Sequence, residues 1–397
     1  MIVGLAAAVI SVSALPFFSK KATAGRFLLS LSVLIVHICA CVAYYFYVQS
    51  ASADANAYYL DKYHMSNMGF GFGTVFTAQF TQVLRKTFGG GFFECFFFFQ
   101  SIGFWGIALL SRTFEEIQEK LKTAPTMLPN YLLFLPSIHF WTSAIGKDAP
   151  IFFAVSLCVW SALEWRRRLL PFGTALVVMI LFRAHIALIS VMALAAAAVL
   201  HPGISFGRKV GLFAVTIIGA YLLLGAVQST VNVNVTDATS VATFLQDRND
   251  KVAQIGGGAS FGDAPIYYRL LTLLFRPFFY DAPNIPGIIA SVENIGSVFL
   301  FFYLIRNWRG LLFLSRKVYF IEYCLVLSAI LIVLLTMISY NVGLGLRERV
   351  MVFPPLLSAF VALWAMPRRQ LDPLQARYPG EYLPYAQPGR GLTEAPR

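Results

Sequence analysis

Charged residues are scarce in this sequence, and their scarcity decides the class of protein. Only 13% of the 397 residues are Asp, Glu, Lys or Arg, whereas a soluble domain carries roughly a quarter. Hydrophobic residues make up 58% of the chain, and apolar runs close to the ~20 residues that cross a bilayer recur throughout it. A soluble globular protein is excluded. We expect an all-α, polytopic integral membrane protein.

Several motifs of soluble chemistry are absent as well. The five cysteines form no CxxC pair, so neither a disulfide framework nor a metal site is expected. The sequence contains no Walker motif, no GxGxxG within a βαβ unit and no internal repeat. The first apolar stretch, residues 2–18, has no basic residues before it and is therefore interpreted as a retained helix rather than a signal peptide. No cofactor is expected.

About eleven apolar segments are predicted to span the membrane. They are residues 2–18, 27–49, 92–111, 126–143, 149–164, 169–182, 186–200, 210–228, 287–305, 318–340 and 350–366. The sixth and seventh are short, so they either tilt or form a helical hairpin. Together the segments define a single membrane domain over residues 1–366. The Pro, Gly and Arg content of residues 367–397 predicts a disordered cytoplasmic tail.

The distribution of positive charge predicts the orientation of the helices. The net charge is +12, but its location in loops and at helix ends argues against nucleic acid as a partner. With the N-terminus outside, 20 of the 31 Lys and Arg residues fall in cytoplasmic segments, as the positive-inside rule requires. Two large loops, residues 50–91 and 229–286, then lie outside. Apolar residues recur at helical spacing in both, which predicts helices lying in the membrane interface.

Basic residues also occur where this orientation disfavours them, at the predicted outer ends of helices. Arg183 and His185 occupy one tight outer turn, and Arg347 and Arg349 precede the last span. The guanidinium fork matches phosphate oxygens with two parallel hydrogen bonds. These arginines are therefore candidates for binding a phosphorylated lipid, with anchoring at the headgroups as the structural alternative.

Acidic residues lie at the same predicted level. Asp54 follows the second span, and a carboxylate just outside the membrane can act as a general base towards a sugar hydroxyl. Lys147 and Asp148 occupy the turn after residues 136–146. Asp148 can alternatively cap the helix that begins there, and Lys147 can extend to the headgroups. Asp54 can also be a solvated loop residue.

Two other carboxylates in apolar segments need partners. Glu322 is expected to pair with Arg316 or Lys317, which precede it near the predicted cytoplasmic end of its span. Glu293 is expected to pair with Arg276.

Three segments carry a resemblance to a known family. They are PSIHFWTSAIGKDA at 136–149, LFRPFFYDAPN at 274–284 and GLRERVMVFPPLL at 345–357. With these segments, the chain resembles bacterial exopolysaccharide and O-antigen repeat-unit polymerases. The aspartate and tyrosines after an early helix are similar to those of class C glycosyltransferases, which use polyprenyl-phosphate-linked sugars.

The resemblance implies an activity, a location and partners. The chain would be a multi-pass protein of the bacterial inner membrane that polymerises lipid-linked oligosaccharides. Its partners would be a polyprenyl-linked sugar donor, a glycan acceptor, membrane lipids and other proteins of polysaccharide assembly. A polysaccharide ligase and a lipid-linked oligosaccharide flippase are the alternatives. The flippase would need polar groups at the bilayer midplane and broken helices, and neither is evident in the sequence.

The resemblance also implies roles for individual residues. Asp54, Lys147 and Asp148 would be catalytic, with Asp54 matching the acidic position of the first outer loop. Substrate-binding residues would include the basic and aromatic side chains at the outer ends. These are Tyr58, Tyr59, Trp141, Arg183, His185, Arg276, Arg347 and Arg349.

Overall fold

A computed structural model describes most of the chain. The residues described are 1–50, 54–62, 64–121, 128–231, 264–282, 285–339 and 341–366, with a few isolated residues between 232 and 263. Most of the second large loop and the predicted disordered tail therefore lie outside the described residues.

The regular secondary structure of the described residues is helical, in agreement with the predicted all-α class. They are α1 (Ile2–Ala14), α2 (Ala24–Ser50), α3 (Asp54–Leu60), α4 (Thr74–Gln82), α5 (Phe92–Lys120), α6 (Leu128–Leu132), α7 (Pro136–Trp141), α8 (Asp148–Leu163), α9 (Leu169–Leu200), α10 (Phe206–Val231), α11 (Ile266–Phe275), α12 (Ile285–Arg306), α13 (Trp308–Lys317), α14 (Tyr319–Ile338), α15 (Val342–Arg349) and α16 (Phe353–Ala365).

The apolar helices are those of a multi-pass membrane protein, but they are fewer than expected. By length and composition, five helices within the described residues could cross a membrane: α2, α5, α9, α12 and α14. Helix α9 passes this test over its full 32 residues, although a break at Arg183 divides it. The pair α15 and α16, bent by 61°, gives a sixth if it counts as one span. The predicted number of eleven is therefore not reached. Helices α1 and α8 are apolar but short of a bilayer crossing.

The predicted span at residues 126–143 is wrong. In its place, the described part of this segment forms two short helices, α6 and α7. Pro136 lies at the first position of α7, where the missing amide hydrogen is tolerated, although it would interrupt the interior of a longer helix. Hydrophobicity identified an apolar segment here, but proline divides it.

Helix α9 contains a sharp reversal at Arg183, whose φ of −153° and ψ of 80° are not helical. The Ser190 hydroxyl lies 3.5 Å from the Met179 sulfur, whereas eleven residues of continuous helix would separate them by about 16 Å. The two halves therefore run back along each other, which is the hairpin alternative predicted for residues 169–200.

Gly73 connects α4 to this reversal. Its N–H donates to the Leu181 carbonyl at 2.8 Å, a carbonyl close to the break in α9. Gly73 has a φ of +66° and a ψ of −118°, a conformation that side-chain-bearing residues rarely adopt. The contact places Thr74, the first residue of α4, beside Arg183. Helix α4 lies in the first large loop and α11 in the second, so each loop contains a helix, as predicted.

Helix α5 lies at the centre of the bundle and packs against α1, α2, α8 and α16. Gly103 of α5 faces the backbone of the turn before α8: a methyl group built on Gly103 would lie 2.1 Å from the Thr142 carbonyl oxygen. Only glycine allows this close approach, which fixes the turn carrying Lys147 and Asp148 against the core.

The end of the bundle away from Asp148 has its own polar contacts. Arg168, after the end of α8, lies 2.8 Å from Glu116 and stacks over the Trp160 ring. His201 lies 2.8 Å from Glu322. The expected pairing of Glu322 with Arg316 or Lys317 is therefore wrong, because the second half of α9 delivers His201 to the start of α14.

Candidate functional site

Charged side chains from five helix ends and turns meet at one end of the bundle. We call this group the Asp148 cluster, and it consists of Asp54, Lys147, Asp148, Arg183, Arg347 and Glu348. They come from the start of α3, the turn before α8, the start of α8, the break in α9 and the end of α15. The cluster thus forms where helices begin, end or break.

Asp148 is the buried centre of the cluster. Its Oδ1 accepts from Arg183 Nη2 at 2.8 Å, and its Oδ2 accepts from Arg347 Nε. Only 7% of Asp148 is exposed. The alternative role of helix cap is wrong: α8 has no side-chain cap bond, and both carboxylate oxygens are occupied by arginine. A buried carboxylate shared by two guanidinium groups holds both in fixed positions.

Arg347 extends from this buried pair to the surface. Its Nη1 lies 2.7 Å from Asp54 Oδ2, and 59% of the Asp54 side chain is exposed. Asp54 is therefore the accessible carboxylate of the cluster, rather than an unattached loop residue. An exposed ion pair contributes little to stability, so this contact can exchange for another anion at small cost.

Glu348 completes the charge balance. Its Oε1 lies 3.7 Å from Arg183 Nη1, and its Oε2 accepts from the Ser339 hydroxyl at 2.8 Å. Three cations and three carboxylates thus meet in the cluster. Of the three carboxylates, Asp54 is the exposed one.

Lys147 is the cation of the cluster that carries no ion pair in the described residues. Its Nζ donates to the Thr74 hydroxyl at 2.5 Å. Burial, followed by the positive charges of Arg183 and Arg347, lowers the pKa of Lys147 to about 7. A lysine with such a pKa exchanges its proton near neutral pH, which arginine cannot do.

The acid–base properties of α3 follow from the same charges. Partial desolvation of the Asp54 carboxyl group opposes its ionisation, but the charge and hydrogen bond of Arg347, with the charges of Lys147 and Arg183, hold its pKa below the ordinary value. Burial and the Asp54 charge raise the pKa of Tyr58. Asp54 is therefore a stabilised anion and a weak base.

Arg349 belongs to a separate, buried network behind the cluster. Its Nη2 lies 3.3 Å from Glu293 Oε1, and its Nη1 donates to the Leu274 carbonyl at 2.9 Å. Glu293 Oε2 accepts from the Ser137 amide at 2.6 Å. The expected pairing of Glu293 with Arg276 is wrong. Arg349 instead joins α12, the end of α11 and the start of α7.

Arg276 also lies outside the cluster, since it pairs with Asp281 and donates to the Tyr268 hydroxyl. Trp141 packs edge-on against Tyr44 and Phe140. These positions do not place Arg276 or Trp141 among the residues that contact Asp148.

The two adjacent tyrosines of α3 have different surroundings. Tyr58 is buried, at 6% exposure, and lines a small cavity of about 50 Å³ with Asp54 and Thr74. Tyr59 donates to the Gly90 carbonyl at 3.4 Å, and Arg85 stacks over its ring. Tyr58 therefore lies at the cluster and Tyr59 faces away from it. His185 is half-buried, two residues beyond the break in α9.

Thr74 and Glu348 are site residues that the sequence reasoning missed. Glu348 lies between two singled-out arginines in the RER motif, and its need for a partner was a usable signal. Thr74 gave no such signal, because its contact with Lys147 depends on how Gly73 joins α4 to α9.

A large apolar groove lies beside the cluster. Its volume is about 600 Å³, and its lining includes Pro150, Phe153, Trp160, Leu181 and Phe182. Phe182 directly precedes Arg183 in the chain, and Pro150 lies two residues after Asp148. The groove continues along α8 as far as Trp160, so it follows the length of this helix.

Comparison of the chain with protein-family models, with curated proteins and with solved structures finds no match. Among the described residues, no group of three or more metal-ligating side chains lies close enough together to hold a metal ion.

Proposed function

We propose that the chain is a membrane glycosyltransferase of the polysaccharide-polymerase type. Its donor is a sugar or oligosaccharide linked to a polyprenyl phosphate or diphosphate, and its acceptor is a glycan of surface polysaccharide biosynthesis. It acts in the bacterial inner membrane, with the Asp148 cluster on the outer side and the C-terminus in the cytoplasm.

The observation that carries this proposal is the sharing of Asp148 by Arg183 and Arg347. Two guanidinium groups from distant parts of the chain are held together at the end of a bundle of apolar helices. A guanidinium group can bind phosphate oxygens through two parallel, charge-assisted hydrogen bonds. Exposed Asp54 occupies the outward nitrogen of Arg347 until a phosphate takes its place.

The apolar groove supports a lipid-linked donor. Its volume of about 600 Å³ lies within the range of ligand sites. The end of the groove that is lined by Pro150 and Phe182 adjoins the Asp148 cluster. A donor with a hydrocarbon tail in this groove would have its phosphates beside Arg183 and Arg347.

The chemistry follows from these positions. The arginines stabilise the negative charge that develops on the leaving phosphate. The acceptor hydroxyl must lose a proton as it attacks the anomeric carbon, and Asp54 and Lys147 are the candidate bases at the cluster. A ligase would use the same chemistry with a different acceptor.

Transport is the second candidate, and two observations favour it. Helix α9 is broken at Arg183, and the pair α15–α16 is bent by 61°. Broken helices that meet at charged groups are typical of transporters, so the sequence-based view that they are missing is wrong. Here, however, the breaks position the arginine pair at one end of the bundle.

Reconstitution distinguishes transfer from transport. Purified protein in liposomes receives a polyprenyl-diphosphate-linked repeat unit, and the products are analysed for glycan length and released polyprenyl diphosphate. Transfer predicts longer glycans and released carrier. Movement of the lipid between leaflets without any new glycosidic bond contradicts the proposal and supports transport.

A further inference from the structure

Lys147 has the surroundings of a proton acceptor. Its ammonium group contacts the Thr74 hydroxyl at 2.5 Å, and the described residues contain no carboxylate within 4.0 Å of it. The charged groups that act on it come from four helices: Asp54 of α3, Asp148 of α8, Arg183 of α9 and Arg347 of α15.

The two nearby carboxylates do not neutralise Lys147, because both are bound to arginine. Asp148 accepts from Arg183 and Arg347, and Asp54 accepts from Arg347. Lys147 is therefore a half-buried cation that no carboxylate of the described residues contacts, although the cluster as a whole is balanced in charge, and the permanent cations Arg183 and Arg347 act on it. An ammonium group that is largely desolvated and has no carboxylate in contact is costly, and lysine can relieve that cost by releasing its proton.

Asp54 is the competing candidate, and its contacts make it the weaker base. Arg347 donates a hydrogen bond to the carboxylate that would have to receive the proton. Lys147, in contrast, is held in place by Thr74.

We infer that Lys147 is the general base of the transfer reaction and that Thr74 positions its amine. This inference rests on the proposed function. In the step, the acceptor oxygen forms a bond to the anomeric carbon while the bond from that carbon to the phosphate oxygen breaks. The polyprenyl phosphate or diphosphate leaves with the electron pair, and the acceptor's proton passes to Nζ.

If Lys147 is the base, the rate of transfer should depend on pH. The neutral amine is the form that accepts a proton, and the pKa of Lys147 is lowered to about 7. The value of kcat/KM, which reports the free enzyme, should therefore rise with pH through about 7 and then level off. A phosphate-bound state raises that pKa because of its negative charge, so the midpoint in kcat should be higher than in kcat/KM.

The first test measures the pKa of the Lys147 amine without any catalytic assay. The full-length protein in detergent is treated with trace acetic anhydride at a series of pH values, and acetylation of each lysine is quantified by mass spectrometry. Exposed Lys62, in the same loop region, is the internal control. We expect the reactivity of Lys147 to rise with a midpoint near pH 7, well below that of Lys62. Equal midpoints overturn the inference.

The second test measures transfer in the reconstituted system. Lys147→Arg keeps the charge but cannot act as a base near neutral pH, so kcat should fall about 100-fold; Lys62→Arg is the matched control. Lys147→Gln removes the charge as well as the base. Donor binding by each variant is measured first. Unchanged kcat in Lys147→Arg overturns the inference.

The two tests separate the inference from the function on which it rests. A wild-type protein that forms no glycosidic bond contradicts the proposed function, and with it a general base for transfer. A wild-type protein that transfers sugar while Lys147 titrates like Lys62 leaves the function standing and overturns Lys147 alone.

Discussion

Arg347 Nη1 lies 2.7 Å from Asp54 Oδ2, although 293 residues separate the two in the chain. The same guanidinium group donates from Nε to buried Asp148. Thus Nε of Arg347 is bound to a buried carboxylate, and Nη1 is bound to an exposed one. This arrangement fixes the Arg347 guanidinium group from the buried side while Asp54 occupies its outer side.

Removing the Asp54 charge should improve donor binding. In Asp54→Asn, the neutral amide competes less well for Arg347, so a non-hydrolysable polyprenyl diphosphate should bind several-fold more tightly, as expected for loss of a surface ion pair worth up to about 1 kcal/mol. The dissociation constant can be measured by isothermal titration calorimetry in detergent. Transfer should continue, because Lys147 is retained. A loss of kcat near 100-fold with unchanged donor affinity would instead identify Asp54 as the base.

The Glu293–Arg349 pair should matter for stability rather than for donor binding. Both residues are almost fully buried, at 4% and 3% exposure, and Glu293→Gln leaves the Arg349 charge without its counter-ion. Such a loss costs about 3–5 kcal/mol, and a lower thermal midpoint in detergent would reveal it. Lys120→Met removes the more exposed Lys120–Glu164 pair and should change stability by no more than about 1 kcal/mol. Equal shifts in the two variants would contradict this assignment.

Gly103 should tolerate no side chain. The Cβ of Gly103→Ala would lie 2.1 Å from the Thr142 carbonyl oxygen, so α5 and the turn before α8 must separate, at a cost of about 1–3 kcal/mol or more. The thermal midpoint should fall, and transfer should fall with it because the turn carries Lys147. Gly25→Ala is the control, since no atom lies within 4 Å of its added methyl group. Wild-type stability and transfer in Gly103→Ala would show that the turn is not held by this contact.

Lys147 should also make stability depend on pH. The pKa of Lys147 is lowered from 10.5 to about 7 on folding, so between these values the unfolded chain binds a proton that the folded chain has released. Stability should therefore rise with pH across this interval. The difference between wild type and Lys147→Met, measured as thermal midpoints from about pH 7 to pH 10, isolates this contribution. A difference that does not change with pH would mean that folded Lys147 keeps its proton.

The sequence was informative about composition and local motifs. Hydrophobic segments predicted the all-α membrane class, and the Gly-Lys-Asp turn and the RER motif contain four of the six cluster residues. Helical spacing also predicted a helix in each of the two large loops, where the structure has α4 and α11. Each of these signals is carried by residues that are close together in the sequence.

Contacts between distant segments were the part that the sequence could not supply. Glu293 pairs with Arg349 instead of Arg276 because α15 enters the bundle beside α12. Asp148 has the position of a helix cap, yet arginines from two other helices take both of its oxygens. The number of spans was overestimated because hydrophobicity does not distinguish a full crossing from shorter apolar helices such as α7 and α8.

Donor binding by Arg347→Lys tests the central claim most directly. The substitution keeps the positive charge and removes the fork, so a phosphate-binding arginine should lose about 10–100-fold in donor affinity, the equivalent of about one charge-assisted hydrogen bond. The measurement is the dissociation constant for a polyprenyl-diphosphate-linked sugar, with exposed Arg309→Lys as the matched control. The account predicts weak binding in Arg347→Lys and wild-type binding in Arg309→Lys. Equal, wild-type affinity in both variants would contradict it.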